Sequence, residues 1–159
     1  SYAVELAHKH NRKVSLSLSD PFCVNRHRDS FLQLIKNGID ILFCNEDEIK
    51  ALFNADDPET AFEKCQDLCE IVVVTRGAKG AVAICGKTRY EIPAEPINRV
   101  IDTTGAGDLC AAGFLTGLAQ DRPISECLQM GALAAAEIIS HYGARPETSL
   151  SELVAKKVG

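Results

Sequence analysis

Short apolar segments alternate with helix-like patterns along most of this chain of 159 residues. Two of the apolar runs, at 39–44 and 71–74, are continuous, which is typical of strands buried on both faces of a sheet. A third, at 13–18, alternates apolar and small polar residues as a strand does. Amphipathic patterns predict helices over 2–10, 28–37, 45–53 and from Pro58 to about Cys69. This alternation predicts an α/β fold whose sheet is mostly parallel and carries helices on both faces.

The later part of the chain predicts a hairpin and then three helices. Strand patterns at 81–85 and 88–92 flank the turn dipeptide Gly86-Lys87, and helical patterns cover 106–119, 123–141 and 149–157.

In open α/β sheets, ligands bind beyond the carboxyl ends of the strands. Three segments rich in polar residues and glycine fall at such ends: Asn45–Glu48, Thr75–Gly80 and Asp102–Asp108. We therefore expect all three to belong to one ligand site.

The charge of the chain narrows the classes of partner. Lys and Arg total 17 and Asp and Glu total 22, which gives a net charge of −5, and the basic residues form no cluster beyond Lys156-Lys157. Neither nucleic acid nor an acidic membrane surface is therefore expected as the main partner. No apolar run reaches the roughly 20 residues that span a bilayer. A small anionic ligand held by local amides is compatible with this charge.

The cysteines indicate a reducing compartment. Seven of them are scattered along the chain, the number is odd, no C-x-x-C motif occurs, and most lie inside apolar runs. This pattern predicts reduced, mostly buried thiols in a cytoplasmic protein. Cys65 and Cys69 are one helical turn apart, but a metal site needs more ligands, so no metal site is expected there.

The stretch Asp102-Thr103-Thr104-Gly105-Ala106-Gly107-Asp108 brackets a Gly-Ala-Gly turn with two acids, directly before a helix of small residues. Gly105 and Gly107 allow the backbone to lie close to a ligand, and the unpaired amides at a helix start attract anions such as phosphate. A carboxylate at Asp108 could then take the proton of a hydroxyl that attacks the bound phosphoryl group. The alternative is purely structural: a threonine caps the helix, and Asp108 favours its positive end.

Two further motifs also allow two interpretations each. Asn45 and Glu48 lie in the first turn of a helix, where they could hold Mg²⁺ through water or form an ordinary capping box. Thr75, Gly77 and Gly80 could form only a tight turn that needs glycines, or could belong to a motif with a further function. Arg76 and Lys79 in the same loop are expected at the solvated surface.

Together these motifs resemble the signatures of the ribokinase-like (PfkB) family of sugar and nucleoside kinases, which read D-T-x-G-A-G-D, N-x-x-E and T-x-G-x-x-G. The resemblance implies that Asp108 is the catalytic base, that Gly105, Ala106, Gly107 and Asp108 form an anion hole, and that Asn45 and Glu48 orient Mg²⁺ and phosphate. It further implies that Thr75, Gly77 and Gly80 follow the phosphates of ATP and that Ala132, in a helix of small residues, walls the adenine. Backbone carbonyls near Asp102, Thr104 and Gly143 would bind K⁺. Close helix packing is the alternative explanation of those small residues.

Within the family, Leu18–Phe22 and Ile39–Glu46 resemble the adenosine kinase branch. This resemblance implies an ATP-dependent kinase that transfers the γ-phosphoryl group to a primary hydroxyl of adenosine or a related sugar, with a role in purine salvage. A ribose, fructose or other sugar kinase is the alternative within the family, and an ATP-binding module without catalysis is the alternative outside it. The partner is then a small nucleoside or sugar, and a homodimer is one of the assemblies left open.

The family's N-terminal part, with its diglycine motif and lid strands, has no counterpart in this sequence, which starts at Ser1 inside a helical pattern. We therefore expect residues 1–159 to be the C-terminal nucleotide-binding and catalytic part of a longer kinase domain, with an incomplete ribokinase-like sheet.

Overall fold

A computed structural model describes residues 2–159 of the chain. Its helices are α1 (Tyr2–Lys9), α2 (Pro21–Lys36), α3 (Glu46–Phe53), α4 (Pro58–Cys65), α5 (Ala106–Ala119), α6 (Ile124–Ile138) and α7 (Leu150–Lys157). Its strands are β1 (Ser15–Ser17), β2 (Ile41–Asn45), β3 (Ile71–Thr75), β4 (Ala81–Cys85) and β5 (Thr88–Ile92), and Gly77–Lys79 forms one turn of 3₁₀ helix. None of the helices in this described part is both long and apolar enough to cross a bilayer.

The strands form one five-stranded sheet in the order β1-β2-β3-β4-β5. β1, β2 and β3 are parallel, with Leu16 opposite Leu42 and Leu42 opposite Val72. The first four residues of both β2 and β3 are buried, as the continuous apolar runs predict for strands covered on both faces. β4 and β5 form the predicted hairpin around Gly86-Lys87. The predicted α/β fold with a mostly parallel sheet is confirmed.

The described residues divide into two compact units. The first comprises the chain up to Thr75 together with Ala83–Arg89, and the second comprises Arg76–Val82 and Tyr90–Gly159. In the first unit, α3 begins directly after β2, and its buried side chains Ile49 and Leu52 belong to the core of that unit.

The second unit is built on the close contact of α5 with α6. Glycines make this contact possible, because a Cβ on Gly113 would lie 2.6 Å from the carbonyl oxygen of Met130, and one on Gly131 would lie 2.7 Å from that of Cys110. Phe114 and Leu133 are buried in this unit. The small residues of both helices therefore have a structural explanation in helix packing.

Several predicted elements differ from the structure in their ends, and α6 ends at Ile138 rather than at residue 141. α2 begins at Pro21 rather than near residue 28, because the Asp20 side chain accepts hydrogen bonds from the amides of Phe22 and Cys23 and so caps it. The backbone at His27 is not helical, which explains why the amphipathic pattern becomes clear only after it. α4 ends at Cys65 rather than Cys69, and β1 covers three residues rather than six.

Candidate active site

The first turn of α5 presents free backbone amides. Gly105 caps the helix in the left-handed conformation, with φ of 81°, and the amide of Ala106 donates to the carbonyl of Thr103 at 3.1 Å. The amides of Gly107 and Asp108 make no hydrogen bond within residues 2–159, as is usual for the start of a helix. These amides and the carboxylate of Asp108 occupy the same turn.

The side chain of Asp108 is exposed and makes no hydrogen bond or ion pair with the described residues. A carboxylate in a first helical turn is stabilised by the helix dipole, but this one does not act as a cap. Gly105, not a threonine, is the N-cap residue. The Asp108 carboxylate is therefore available to a ligand.

Gly105 and Gly107 differ in the space around them. A Cβ on Gly105 would lie 3.1 Å from the Cβ of Ala144, whereas a Cβ on Gly107 would meet no atom within 4 Å. Gly105 is thus required by the protein itself, through both its positive φ and this contact. Gly107 leaves an open surface that a ligand can approach closely.

Asp102 ties the segment before α5 to Gly143. Its Oδ1 accepts hydrogen bonds from the amide and the hydroxyl of Thr104 at 2.9 and 2.7 Å, and its Oδ2 accepts one from the amide of Gly143 at 3.1 Å. The hydrogen bonds from Thr104, followed by that from Gly143, lower the pKa of Asp102. The three residues predicted for a K⁺ site therefore lie together.

In the first unit, Asn45 and Glu48 form a complete capping box on α3. The amide of Glu48 donates to Oδ1 of Asn45 at 2.8 Å, and the two carboxylate oxygens of Glu48 accept from the amide and the side-chain nitrogen of Asn45, both at 2.9 Å. Glu48 is only 6% exposed. Burial raises the pKa of Glu48, the amide of Asn45 opposes this, and Asp20 and Asp47 add to it by repulsion.

The partners of Glu48, Asp20 and Asp47 decide whether Mg²⁺ would fit beside these acids. Carboxylate and amide oxygens are the hard donors that Mg²⁺ prefers, but Asp47 pairs with Lys50 at 2.8 Å and Asp20 caps α2. The buried Glu48 uses both oxygens for Asn45, so it would act on the ion through water rather than directly. Thr75 lies opposite Asn45 at the ends of β3 and β2, and its hydroxyl donates to the carbonyl of Cys44 at 3.4 Å.

The loop after Thr75 needs Gly80 for structural reasons. A Cβ on Gly80 would lie 2.0 Å from the carbonyl oxygen of Ile92, whereas one on Gly77 would meet nothing within 4 Å. Arg76 does not lie at the solvated surface as expected: its side chain is 13% exposed and pairs with Glu91 at 3.0 Å. Because Glu91 neutralises the charge of Arg76, we assign Arg76 a structural role in this loop.

A cavity of about 430 Å³ lies beside α6 in the second unit. It is lined by Pro96, Ile97, Leu133 and Ala136, among others. Ala132, the predicted adenine contact, does not line it but is half-buried one residue before Leu133.

The sequence interpretation missed one buried acid, Glu137. It accepts hydrogen bonds from residues beyond Gly143, and its signal in the sequence is a single acid inside an otherwise apolar stretch from Met130 to Ile139. His141, the last residue of the helical pattern 123–141, lies beyond the end of α6 at Ile138 and 3.3 Å from the Glu137 carboxylate. Among the described residues, no group of three or more His, Cys, Asp or Glu side chains is arranged to hold a metal ion directly.

Comparison with known proteins identifies relatives over most of the chain. The family model described as pfkB family carbohydrate kinase matches residues 3–150. A cytidine kinase of Thermococcus kodakarensis is 36% identical over 119 residues, which are 73% of this chain and 42% of that protein.

Solved structures that share the fold include an adenosine kinase and a ribokinase. The adenosine kinase of Sinorhizobium meliloti has a TM-score of 0.95 and 40% identity, over 99% of this chain and 48% of that one. A ribokinase of Arabidopsis thaliana, complexed with ribose and ATP, has a TM-score of 0.75 and 27% identity, over 95% of this chain and 50% of that one. The chain spans about half the length of the proteins it matches. It belongs to the pfkB family of carbohydrate kinases.

Proposed function

We propose that this chain carries the nucleotide-binding and catalytic part of an ATP-dependent kinase. The kinase transfers the γ-phosphoryl group to a primary hydroxyl of adenosine or a related sugar. The observation that carries the proposal is the first turn of α5, where free amides, the open face of Gly107 and the unpaired carboxylate of Asp108 lie together. Family membership supports the same reaction class.

In this proposal Asp108 takes the proton of the acceptor hydroxyl as the hydroxyl oxygen attacks the γ-phosphorus. The amides of Gly105, Ala106, Gly107 and Asp108 form the anion hole, in which those of Gly107 and Asp108 have no partner of their own. Phosphoryl transfer depends mainly on positioning and on the neutralisation of charge. One base and one anion hole are therefore a sufficient catalytic core.

Two cations have a part in the proposed reaction. Mg²⁺, when bound near Asn45 and Glu48, supplies positive charge to the phosphates of ATP, and Glu48 holds it through water. K⁺ would be held by backbone carbonyls at Asp102, Thr104 and Gly143, a group that the hydrogen bonds of the Asp102 side chain already fix in place. Thr75, Gly77 and Gly80 would lie along the phosphates.

The adenine of ATP is proposed to lie against Ala132, as the family resemblance implies. Ala132 is half-buried on α6 and is not among the residues that line the cavity beside that helix. The acceptor is less constrained, since the relatives include a cytidine kinase, an adenosine kinase and a ribokinase. Adenosine is preferred here because Leu18–Phe22 and Ile39–Glu46 resemble that branch, and a sugar acceptor is the second candidate.

The test is an acceptor panel with Mg-ATP and the longest natural form of the chain. Adenosine, cytidine, ribose and fructose are compared by the rate of ADP release, with a reaction without acceptor as control. Release that depends on adenosine supports the whole proposal. Release with ribose or fructose alone would retain the mechanism and replace the acceptor, and binding of ATP without release for any acceptor would favour a non-catalytic module.

A further inference from the structure

Glu137 is a buried acid in the last turn of α6, the helix of small and apolar residues. Its side chain is only 6% exposed. Burying a carboxylate is costly unless hydrogen-bond donors compensate it. Donors for Glu137 come from one place, the irregular segment 141–148 that follows the helix, which we call the brace segment.

The brace segment surrounds one oxygen of Glu137. Oε1 accepts hydrogen bonds from the amide of Glu147 at 2.8 Å, from the amide of Thr148 at 2.9 Å and from the hydroxyl of Thr148 at 3.2 Å. Nε2 of His141 lies 3.3 Å from the same oxygen. Oε2 is buried and has no hydrogen-bond partner among residues 2–159. The carboxylate thus acts as a single fixed acceptor for the far end of the brace segment.

The near end of the brace segment touches the proposed catalytic turn. The amide of Gly143 donates to Oδ2 of Asp102 at 3.1 Å. Ala144 lies against Gly105, where its Cβ is 3.1 Å from the position that a Cβ would take. Gly105 is the N-cap of α5 and sets the direction of the amides that follow it. Movement of the brace segment would therefore change the positions of the backbone amides that form the proposed anion hole.

We propose that Glu137 is a positioning residue for phosphoryl transfer: by anchoring the brace segment, it holds Ala144 against Gly105 and so fixes the first turn of α5. The inference rests on the proposed function. In this proposal Glu137 does not touch the reacting atoms. Its replacement should therefore lower kcat, through the geometry of the transition state, and leave the binding of substrates nearly unchanged. A misplacement of 1 Å far from the chemistry can cost about 100-fold in rate.

The experiment compares Glu137→Ala, Glu137→Gln and the matched control Glu126→Ala in the longest natural form of the chain. Glu126 lies on the same helix and pairs with Arg122 at 3.1 Å, away from the brace segment. We expect Glu137→Ala to lower kcat by about 10- to 100-fold, with KM for ATP and acceptor changed less than threefold. Glu137→Gln keeps an acceptor oxygen and should recover at least a third of the activity. Glu126→Ala should retain wild-type kcat.

A second measurement does not depend on catalysis. Hydrogen exchange at the amides of Glu147 and Thr148 should become at least tenfold faster in Glu137→Ala, while exchange within α5 beyond its first turn stays unchanged. Thr148→Val removes only the hydroxyl donor to Glu137, so this variant should fold fully and show a smaller loss of kcat. It provides the test if Glu137→Ala does not fold.

The outcomes separate the two proposals. If the wild type is active and folded Glu137→Ala has kcat within twofold of it, the positioning role is wrong and the kinase proposal stands. If Glu137→Ala and Glu137→Gln lose stability but not kcat per folded molecule, the residue is only structural. A wild type without activity on any acceptor overturns the kinase proposal and the positioning role with it.

Discussion

The Cβ of Ala144 lies 3.1 Å from the place where Gly105 would carry a Cβ, so these two residues join the segment after α6 to the start of α5. This contact and the positive φ of 81° at Gly105 show that Gly105 and Gly107 have different roles in the turn. Gly105 contributes to the stability of the fold, whereas a Cβ on Gly107 would meet nothing within 4 Å, so that position is open to a ligand.

We predict that Gly105→Ala and Gly107→Ala have opposite effects. Gly105→Ala should destabilise the protein by about 1–2 kcal/mol, the cost of a left-handed residue with a Cβ. Gly107→Ala should leave the melting temperature equal or higher, because alanine favours helices, yet should lower kcat about tenfold or more by displacing the phosphoryl group. Thermal unfolding and steady-state kinetics measure both. A stable, fully active Gly107→Ala would contradict a close approach of ligand there.

The α5–α6 contact gives a second prediction. A Cβ on Gly113 would lie 2.6 Å from the carbonyl oxygen of Met130 and 2.8 Å from Cα of Gly131. Since backbone atoms cannot yield as a side chain does, Gly113→Ala should cost about 1–3 kcal/mol through overpacking. Gly107→Ala, in the same helix, is the matched control. Equal unfolding midpoints in denaturant for the two variants would show that the helices are not as close as described.

Many features of the fold and of the candidate site could be predicted from the sequence, because they depend on local patterns. The continuous apolar runs of β2 and β3 predict buried parallel strands, and Asn45 three residues before Glu48 predicts the cap of α3. The early start of α2 was missed because the backbone at His27 interrupts the helical period.

Long-range relationships could not be predicted in the same way. The hydrogen bond from Gly143 to Asp102 joins residues 41 positions apart, and no local pattern encodes it. The partners of Glu137 lie in an irregular segment whose path depends on tertiary packing. Arg76 was expected in solvent because nothing near it in sequence reveals its pairing with Glu91.

The ionisation of Glu137 predicts a pH dependence of stability. Burial favours protonation of this carboxyl, but donors from Thr148, His141 and Glu147 outweigh it and lower the pKa of Glu137 below its usual 4.5. A lowered pKa contributes stability above the unfolded value, and that contribution is lost as the pH falls through the folded value. Burial disfavours the charged form of His141, 3.3 Å from Glu137, but hydrogen bonds to Tyr142 and Glu137 raise its pKa above its usual 6.5, so the pair gains most when both groups are charged. The melting temperature of wild type should therefore exceed that of Glu137→Gln most between about pH 4.5 and 6.5, with the gap shrinking below pH 4.5.

Melting curves between pH 7 and pH 3 check this prediction for both proteins. Other carboxylates, Asp102 among them, titrate in the same range but are common to wild type and variant, so they cancel in the difference. A gap that stays constant across the range would show that the charge of Glu137 contributes nothing.

The cysteines give a prediction for chemical labelling. Cys23 is exposed, whereas Cys44, Cys65, Cys110 and Cys127 are buried. Burial raises the pKa of Cys65 to about 12 and that of Cys110 to about 11, so few of these thiols are ionised at pH 8. Iodoacetamide should label Cys23 first in the folded protein, as measured by peptide mass spectrometry. In denaturant all seven should react at similar rates, and fast native labelling of Cys110 would contradict the packing of α5.

The central claim is that Asp108 is the catalytic base, and Asp108→Asn tests it most directly. The matched control is Asp29→Asn, an exposed acid on α2. With Mg-ATP and the best acceptor of the panel, Asp108→Asn should lower kcat by about 10²–10⁴-fold, the range of a general base, while ATP binding and the melting temperature stay close to wild type. A folded Asp108→Asn protein with kcat within twofold of wild type would contradict the account.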